Sequence, residues 1–103
     1  MITKLRKAVE EMAQKEYTLA AGQHGAQFHS AHEAYAVMLE EVQECEEELK
    51  EVNCFLAQTW ANARNDEKDI TPLTLIHFRA INTACEAIQV AAMALKATKG
   101  YTE

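Results

Sequence analysis

Residues 35–49 read Tyr-Ala-Val-Met-Leu-Glu-Glu-Val-Gln-Glu-Cys-Glu-Glu-Glu-Leu, and this stretch decides the fold. Its apolar residues recur at steps of three and four, which is the period of one helix face. The same stripe continues through Val52 and Leu56 to Ala63. A helix over residues 31–63 is about 50 Å long at ~1.5 Å per residue, more than a lone small domain needs. We therefore expect this helix to bend or to pair with another subunit.

Capping signals predict where the two long helices begin. Ser30-Ala31-His32-Glu33 is a capping box, in which the Ser30 side chain can accept from the Glu33 amide, so the long helix begins there. Thr71-Pro72 supplies a cap followed by proline at the first helical position of the next helix. That helix runs to about Thr98, and Gly100 is a plausible end cap.

An amphipathic helix over about residues 3–20 comes first, and residues 21–28, with two glycines, read as a flexible connection. The sequence thus predicts one all-α domain over 1–103, with an accessory N-terminal helix in 1–21 and two long helices in 30–98. Its architecture is a helical bundle that is completed by homo-oligomerisation, as a dimer or a tetramer.

Charge and composition exclude several classes of protein. The chain has 103 residues, and its 16 acidic against 10 basic residues give a net charge of −6, which disfavours a nucleic acid partner. No stretch is long and apolar enough to span a membrane, so we expect no membrane partner. The three cysteines form neither a disulfide framework nor a zinc motif, which favours a reducing cytoplasm.

Seven glutamates lie between Glu40 and Glu51. Such a run is commonly a solvated helix face. Here, however, like charges three and four residues apart repel one another, and only Lys50 lies in the run to compensate. A bound cation would explain the arrangement.

The last helix offers a matching polar face. Glu86 and Gln89 are three residues apart and share one side of the helix. If the two long helices are antiparallel, this pair meets Glu41 and Glu44, which predicts a site of the oxygen ligands that Mg²⁺ prefers. The alternative is that Glu86 pairs with Arg79 or Lys96 in solvent.

Both motifs resemble those of a known enzyme family. Leu39-Glu40-Glu41-Val42-Gln43-Glu44 and Glu86-Ala87-Ile88-Gln89 are similar to the two motifs of the MazG-like all-α nucleoside triphosphate pyrophosphohydrolases, Glu-Glu-x-x-Glu and Glu-x-x-Asp. The resemblance implies a Mg²⁺-dependent hydrolase, for which Mn²⁺ can substitute. Such an enzyme cleaves a nucleoside triphosphate between its α and β phosphates, giving the monophosphate and pyrophosphate.

Motif position also implies roles for individual residues. Glu41, Glu44, Glu86 and Gln89 would be metal ligands, and Glu40 would orient or deprotonate the attacking water. Gln89 stands where the family has aspartate, and the gap between the motifs is longer than is usual for the family. The amide removes one negative charge and should weaken metal binding, unless a carboxylate such as Glu48 or Glu33 compensates.

Three further residues are candidates for substrate binding. Arg79 and Lys96 lie on the polar face of the last helix, and Trp60 could stack on a base, although an aromatic residue there is more often part of a core. A hypothesis from a different functional class stays open. In it, the protein is a non-catalytic helical module that binds a nucleotide or another protein, and its acidic face is merely solvated.

Overall fold

The computed structural model describes residues 2–102 and confirms an all-α fold. Its three helices are α1 (Ile2–His24), α2 (Ala31–Arg64) and α3 (Thr71–Ala97). Met1 and Glu103, the ends of the predicted domain, lie outside the described residues. Among the described helices, none combines the length and the apolar character needed to cross a membrane.

The predicted start of α2 is confirmed, because the Ser30 Oγ accepts a hydrogen bond from the Glu33 amide at 3.2 Å. Gly100, just beyond α3, has a φ of +84°, a conformation that glycine adopts without strain.

Two predicted helix ends need correction. Thr71 is not the cap of α3 but its first residue, and its amide donates to Asp69 Oδ1 at 2.9 Å. Hydrogen bonding by the Thr71 side chain and, second, by its amide lowers the pKa of Asp69. α1 does not end near residue 20 but continues through Gly22, an exposed position, to His24. It ends where Gly25 takes a φ of +89°.

α2 and α3 form an antiparallel hairpin, and α1 packs mainly against the C-terminal half of α3. The three helices meet where α1 ends, α2 begins and α3 ends. A small core lies there, with Phe28, Ala34, Ala92 and Met93 buried. A bridge between Phe28 and Tyr101 and a hydrogen bond from Gln27 Nε2 to the Lys99 carbonyl oxygen hold the C-terminal segment against this end. The core therefore fixes one end of the hairpin relative to α1.

Candidate metal centre

Three carboxylates from two helices converge in the middle of the hairpin. Glu41 and Glu44 are one turn apart on α2, and Glu86 lies opposite them on α3. One oxygen atom from each side chain lies within 4.8 Å of the other two, and all three residues are half-buried. The antiparallel hairpin thus brings together three of the four residues predicted as metal ligands.

The carboxylates of this triad perturb one another. Burial raises the pKa of Glu41 above its ordinary value, and the negative charges of Glu44, Glu86 and Glu40 raise it further. A hydrogen bond with Glu86, which requires a proton on one of the two carboxyl groups, is the main cause that raises the pKa of Glu44. Both shifts show that the triad holds its negative charge at a cost, which a cation would reduce.

The donor set fits a hard divalent cation. Mg²⁺ binds oxygen at about 2.1 Å, so two ligand oxygens on one ion are at most about 4.2 Å apart. Three oxygens on one octahedral Mg²⁺ include at least two pairs that are about 3.0 Å apart. A pair of carboxylate oxygens at the 4.8 Å limit would therefore have to close by up to about 1.8 Å to share one Mg²⁺.

The fourth predicted ligand, Gln89, contacts a residue that the sequence did not point to. Its Nε2 donates to Glu16 Oε2 of α1 at 3.0 Å, in a part-buried contact. Neither Glu48 nor Glu33, the carboxylates expected to compensate for the missing aspartate, belongs to the triad. Glu16 is instead the carboxylate beside Gln89, and only the packing of α1 on α3 reveals it.

Arg79 marks one end of the site. Its Nη1 lies 3.3 and 3.4 Å from the two carboxylate oxygens of Glu48, and Asn82 Nδ2 donates to the same carboxylate at 3.4 Å. Glu48 is one turn beyond Glu44. Arg79 was one of two residues that could have paired with Glu86 in solvent, but in the structure it pairs with Glu48.

Lys96 lies at the opposite end, in a cavity of about 380 Å³. The residue is only 4% exposed, and its Nζ lies 4.4 Å from the centre of the Phe28 ring. Val37, four residues before Glu41, and Met93, four residues after Gln89, help to line the cavity. At about 5.4 Å per helical turn, the cavity lies about one turn beyond Glu41 on α2 and about two turns beyond Glu86 on α3. The remaining lining residues are Ala20, His24, His29 and Glu33.

Two predicted residues lie outside this cluster. Glu40 is exposed on the flank of the triad, close enough for its charge to raise the pKa of Glu41. Trp60 is 63% exposed, with the Arg64 guanidinium 5.7 Å from its ring, and is therefore not a core residue. It is sixteen residues from Glu44, or about 24 Å along the helix axis. Within one chain, Trp60 does not join the candidate metal centre.

Comparison with family models, with curated proteins and with solved structures found no match to this chain. The MazG-like resemblance therefore rests on the residues of the two motifs.

Proposed function

We propose that this protein is a Mg²⁺-dependent nucleoside triphosphate pyrophosphohydrolase that acts as a homo-oligomer. The observation that carries the proposal is the convergence of Glu41, Glu44 and Glu86 from two helices. The packed hairpin holds these like charges together at the cost of their mutual repulsion. A cluster that is costly when empty is better explained by a cation than by solvation.

The four carboxylates divide into two roles in this proposal. Glu41, Glu44 and Glu86 hold the cation, and Glu40, exposed beside them, orients or deprotonates the attacking water. When bound, Mg²⁺ neutralises charge on the phosphates and polarises them for attack. The products are the nucleoside monophosphate and pyrophosphate.

The cavity next to the triad offers a place for the rest of the substrate. We assign the triphosphate to the triad and the nucleoside to the cavity that contains Lys96. Lys96 follows Glu86 by ten residues, about 15 Å along α3, so the substrate would lie along the helix. His24, His29 and Glu33 line the cavity and supply hydrogen-bonding groups for a base.

The Glu16–Gln89 pair supports the site despite the missing aspartate. Because the Gln89 Nε2 donates to Glu16, the orientation of the amide is fixed and its oxygen is left as an acceptor. Glu16 then contributes a negative charge next to the position where the resembled family has one. We infer that Glu16 positions Gln89 and partly replaces that charge.

The direct test is a pyrophosphate-release assay with Mg²⁺ and a panel of nucleoside triphosphates, with the nucleotide product identified by chromatography. We expect equal amounts of monophosphate and pyrophosphate. Glu44→Gln should abolish the release, whereas Glu47→Gln, an exposed glutamate of the same helix, should leave it unchanged.

Two results would reject the proposal. Release of orthophosphate instead of pyrophosphate would show a different cleavage site. Nucleotide binding with no turnover in either Mg²⁺ or Mn²⁺ would favour the non-catalytic helical module.

A further inference from the structure

The apolar stripe of α2 is covered on only one side. Its positions alternate in steps of three and four, as in a coiled-coil seam. One set, Cys45, Val52 and Thr59, is half-buried on the hairpin, and Cys45 Sγ donates to the Thr83 carbonyl oxygen of α3. The other set remains exposed, and with its neighbour Trp60 it forms what we call the open seam: Val42, Leu49, Leu56 and Trp60.

Exposure of the open seam is substantial. Leu49 is 50% exposed, Leu56 55% and Trp60 63%. Beside it, Val42, Cys45 and Leu49 line an apolar groove of about 230 Å³ together with Ala87 and Val90 of α3. A single chain therefore leaves unfilled a groove of the kind into which a second helix packs.

The accessible area shows how much surface needs a partner. The chain exposes 7614 Å², whereas a compact monomer of 11.6 kDa exposes about 5,800 Å². Its radius of gyration is 17.6 Å, against ~13 Å for a compact domain of this length. The excess of roughly 1,800 Å² falls within the ~1,000–2,500 Å² that each subunit buries in an obligate homodimer.

Charge identifies the side on which two such chains can meet. With a net charge of −6 each, two copies repel wherever their acidic faces approach. Of the seven glutamates in residues 40–51, only Glu46 lines the groove beside the open seam. The groove beside the open seam is thus apolar except for one glutamate.

We propose that a second copy of this chain covers the open seam, with the two α2 helices antiparallel and crossing near Leu49. A two-fold axis at Leu49 places Val42 of each copy opposite Leu56 of the other, because both are seven residues from Leu49. This inference extends the homo-oligomer part of the proposed function. It does not depend on the chemistry of the triad.

Sedimentation equilibrium of the full chain tests the association. We expect at least twice the 11.6 kDa chain mass at micromolar concentration, and a melting temperature that rises with protein concentration. Leu56→Glu should weaken the association by at least ~100-fold, because it places a charge in an apolar interface. The matched control is Gln58→Glu, which adds the same charge at an exposed position outside the open seam and should leave the mass unchanged.

A second measurement stays informative if Leu56→Glu fails to fold. The free cysteines Cys45, Cys54 and Cys85 are first replaced by serine, so that only the introduced thiol can cross-link. On oxidation, Leu49→Cys should then form a covalent dimer much faster than Glu47→Cys, which lies on another side of the same helix. A monomeric wild type, or equal cross-linking of the two variants, would overturn the inference. A monomer that still releases pyrophosphate would refute this inference and the homo-oligomer part of the proposed function but not the proposed chemistry. A dimer without turnover would refute the proposed chemistry alone.

Discussion

The two sides of α2 differ in what they bury and in what they leave open. On one side, Glu41 and Glu44 are half-buried against α3, although burial and neighbouring carboxylates raise the pKa of Glu41 and a hydrogen bond with Glu86 raises the pKa of Glu44. On the other side, Leu49 and Leu56 are half or more exposed, although burying them would be favourable. The carboxylates are thus held together although their repulsion costs free energy, and the leucines lack the apolar contacts that would stabilise them. We therefore infer a different partner for each side: a cation for the carboxylate side and a second copy of the chain for the leucine side.

The largest effect should come from removing one carboxylate of the triad. Glu86→Gln should reduce pyrophosphate release by at least ~100-fold, the upper end of the loss seen when an outer-shell partner of a metal ligand is removed. The measurement is kcat/KM with Mg²⁺, because a lost ligand lowers transition-state stabilisation. The oligomer mass should not change, since Glu86 lies away from the open seam.

The matched control for this variant is Glu47→Gln, which removes the same charge from an exposed position. If both variants lost activity equally, net charge and not the triad would govern turnover. If neither did, the carboxylate side of α2 would be a solvated surface.

The Glu16–Gln89 pair allows a finer test of the candidate metal centre. Gln89→Asp alone places two carboxylates together and removes the donor that now bonds Glu16. Adding Glu16→Gln restores a donor opposite the new carboxylate. The double variant keeps the wild-type net charge but moves one negative charge from position 16 to position 89. We expect it to bind Mg²⁺ about tenfold more tightly than the wild type, or ~1.4 kcal/mol. Calorimetric titration measures this difference, and equal affinities would show that Gln89 does not face the cation.

Sequence reasoning located the triad because helical spacing and an antiparallel hairpin are sufficient to define it. Glu41 and Glu44 share a face by their spacing, and Glu86 follows once α3 runs back along α2. The position of α1 is not determined in this way, since its apolar pattern is weak. The contact between Glu16 and Gln89 was therefore not predictable.

The environment of side chains at the edge of the hairpin was also hard to predict. Periodicity places Leu49 and Leu56 on a core stripe, but it does not say whether the same chain covers that stripe. Lys96 differs from its prediction in the opposite sense. It was placed on a polar helix face, but the structure buries it against Phe28. A local sequence motif predicted the structure best where one interaction dominates, as in the helix cap formed by Ser30.

A smaller effect concerns stability without metal. The folded protein holds the pKa of Glu41 above the ordinary value of 4.5. Stabilisation by the protonated group is therefore complete below pH 4.5 and is lost as the pH rises through the folded-state pKa. Glu41→Gln does not undergo this loss. We expect it to melt about 2–4 °C above the wild type at pH 7 with a chelator present, given ~0.5 kcal/mol for a repulsive helix pair.

Thermal melts from pH 4 to pH 8 check the sign of this effect. The advantage of Glu41→Gln should grow as the pH rises and should vanish near pH 4. A variant less stable than the wild type at every pH would show that Glu41 stabilises the fold as a carboxylate, which contradicts the repulsion inferred for the triad.

The most direct test of the cation site is the melting temperature of the wild type and of Glu86→Gln as Mg²⁺ or Mn²⁺ is added to the chelated protein. A cation that binds only the folded state stabilises it by ~1.4 kcal/mol when its concentration is about ten times Kd. We expect a rise of several degrees in the wild type and little or none in Glu86→Gln. A wild-type melting temperature that ignores millimolar amounts of both cations, with and without nucleotide, would contradict this expectation.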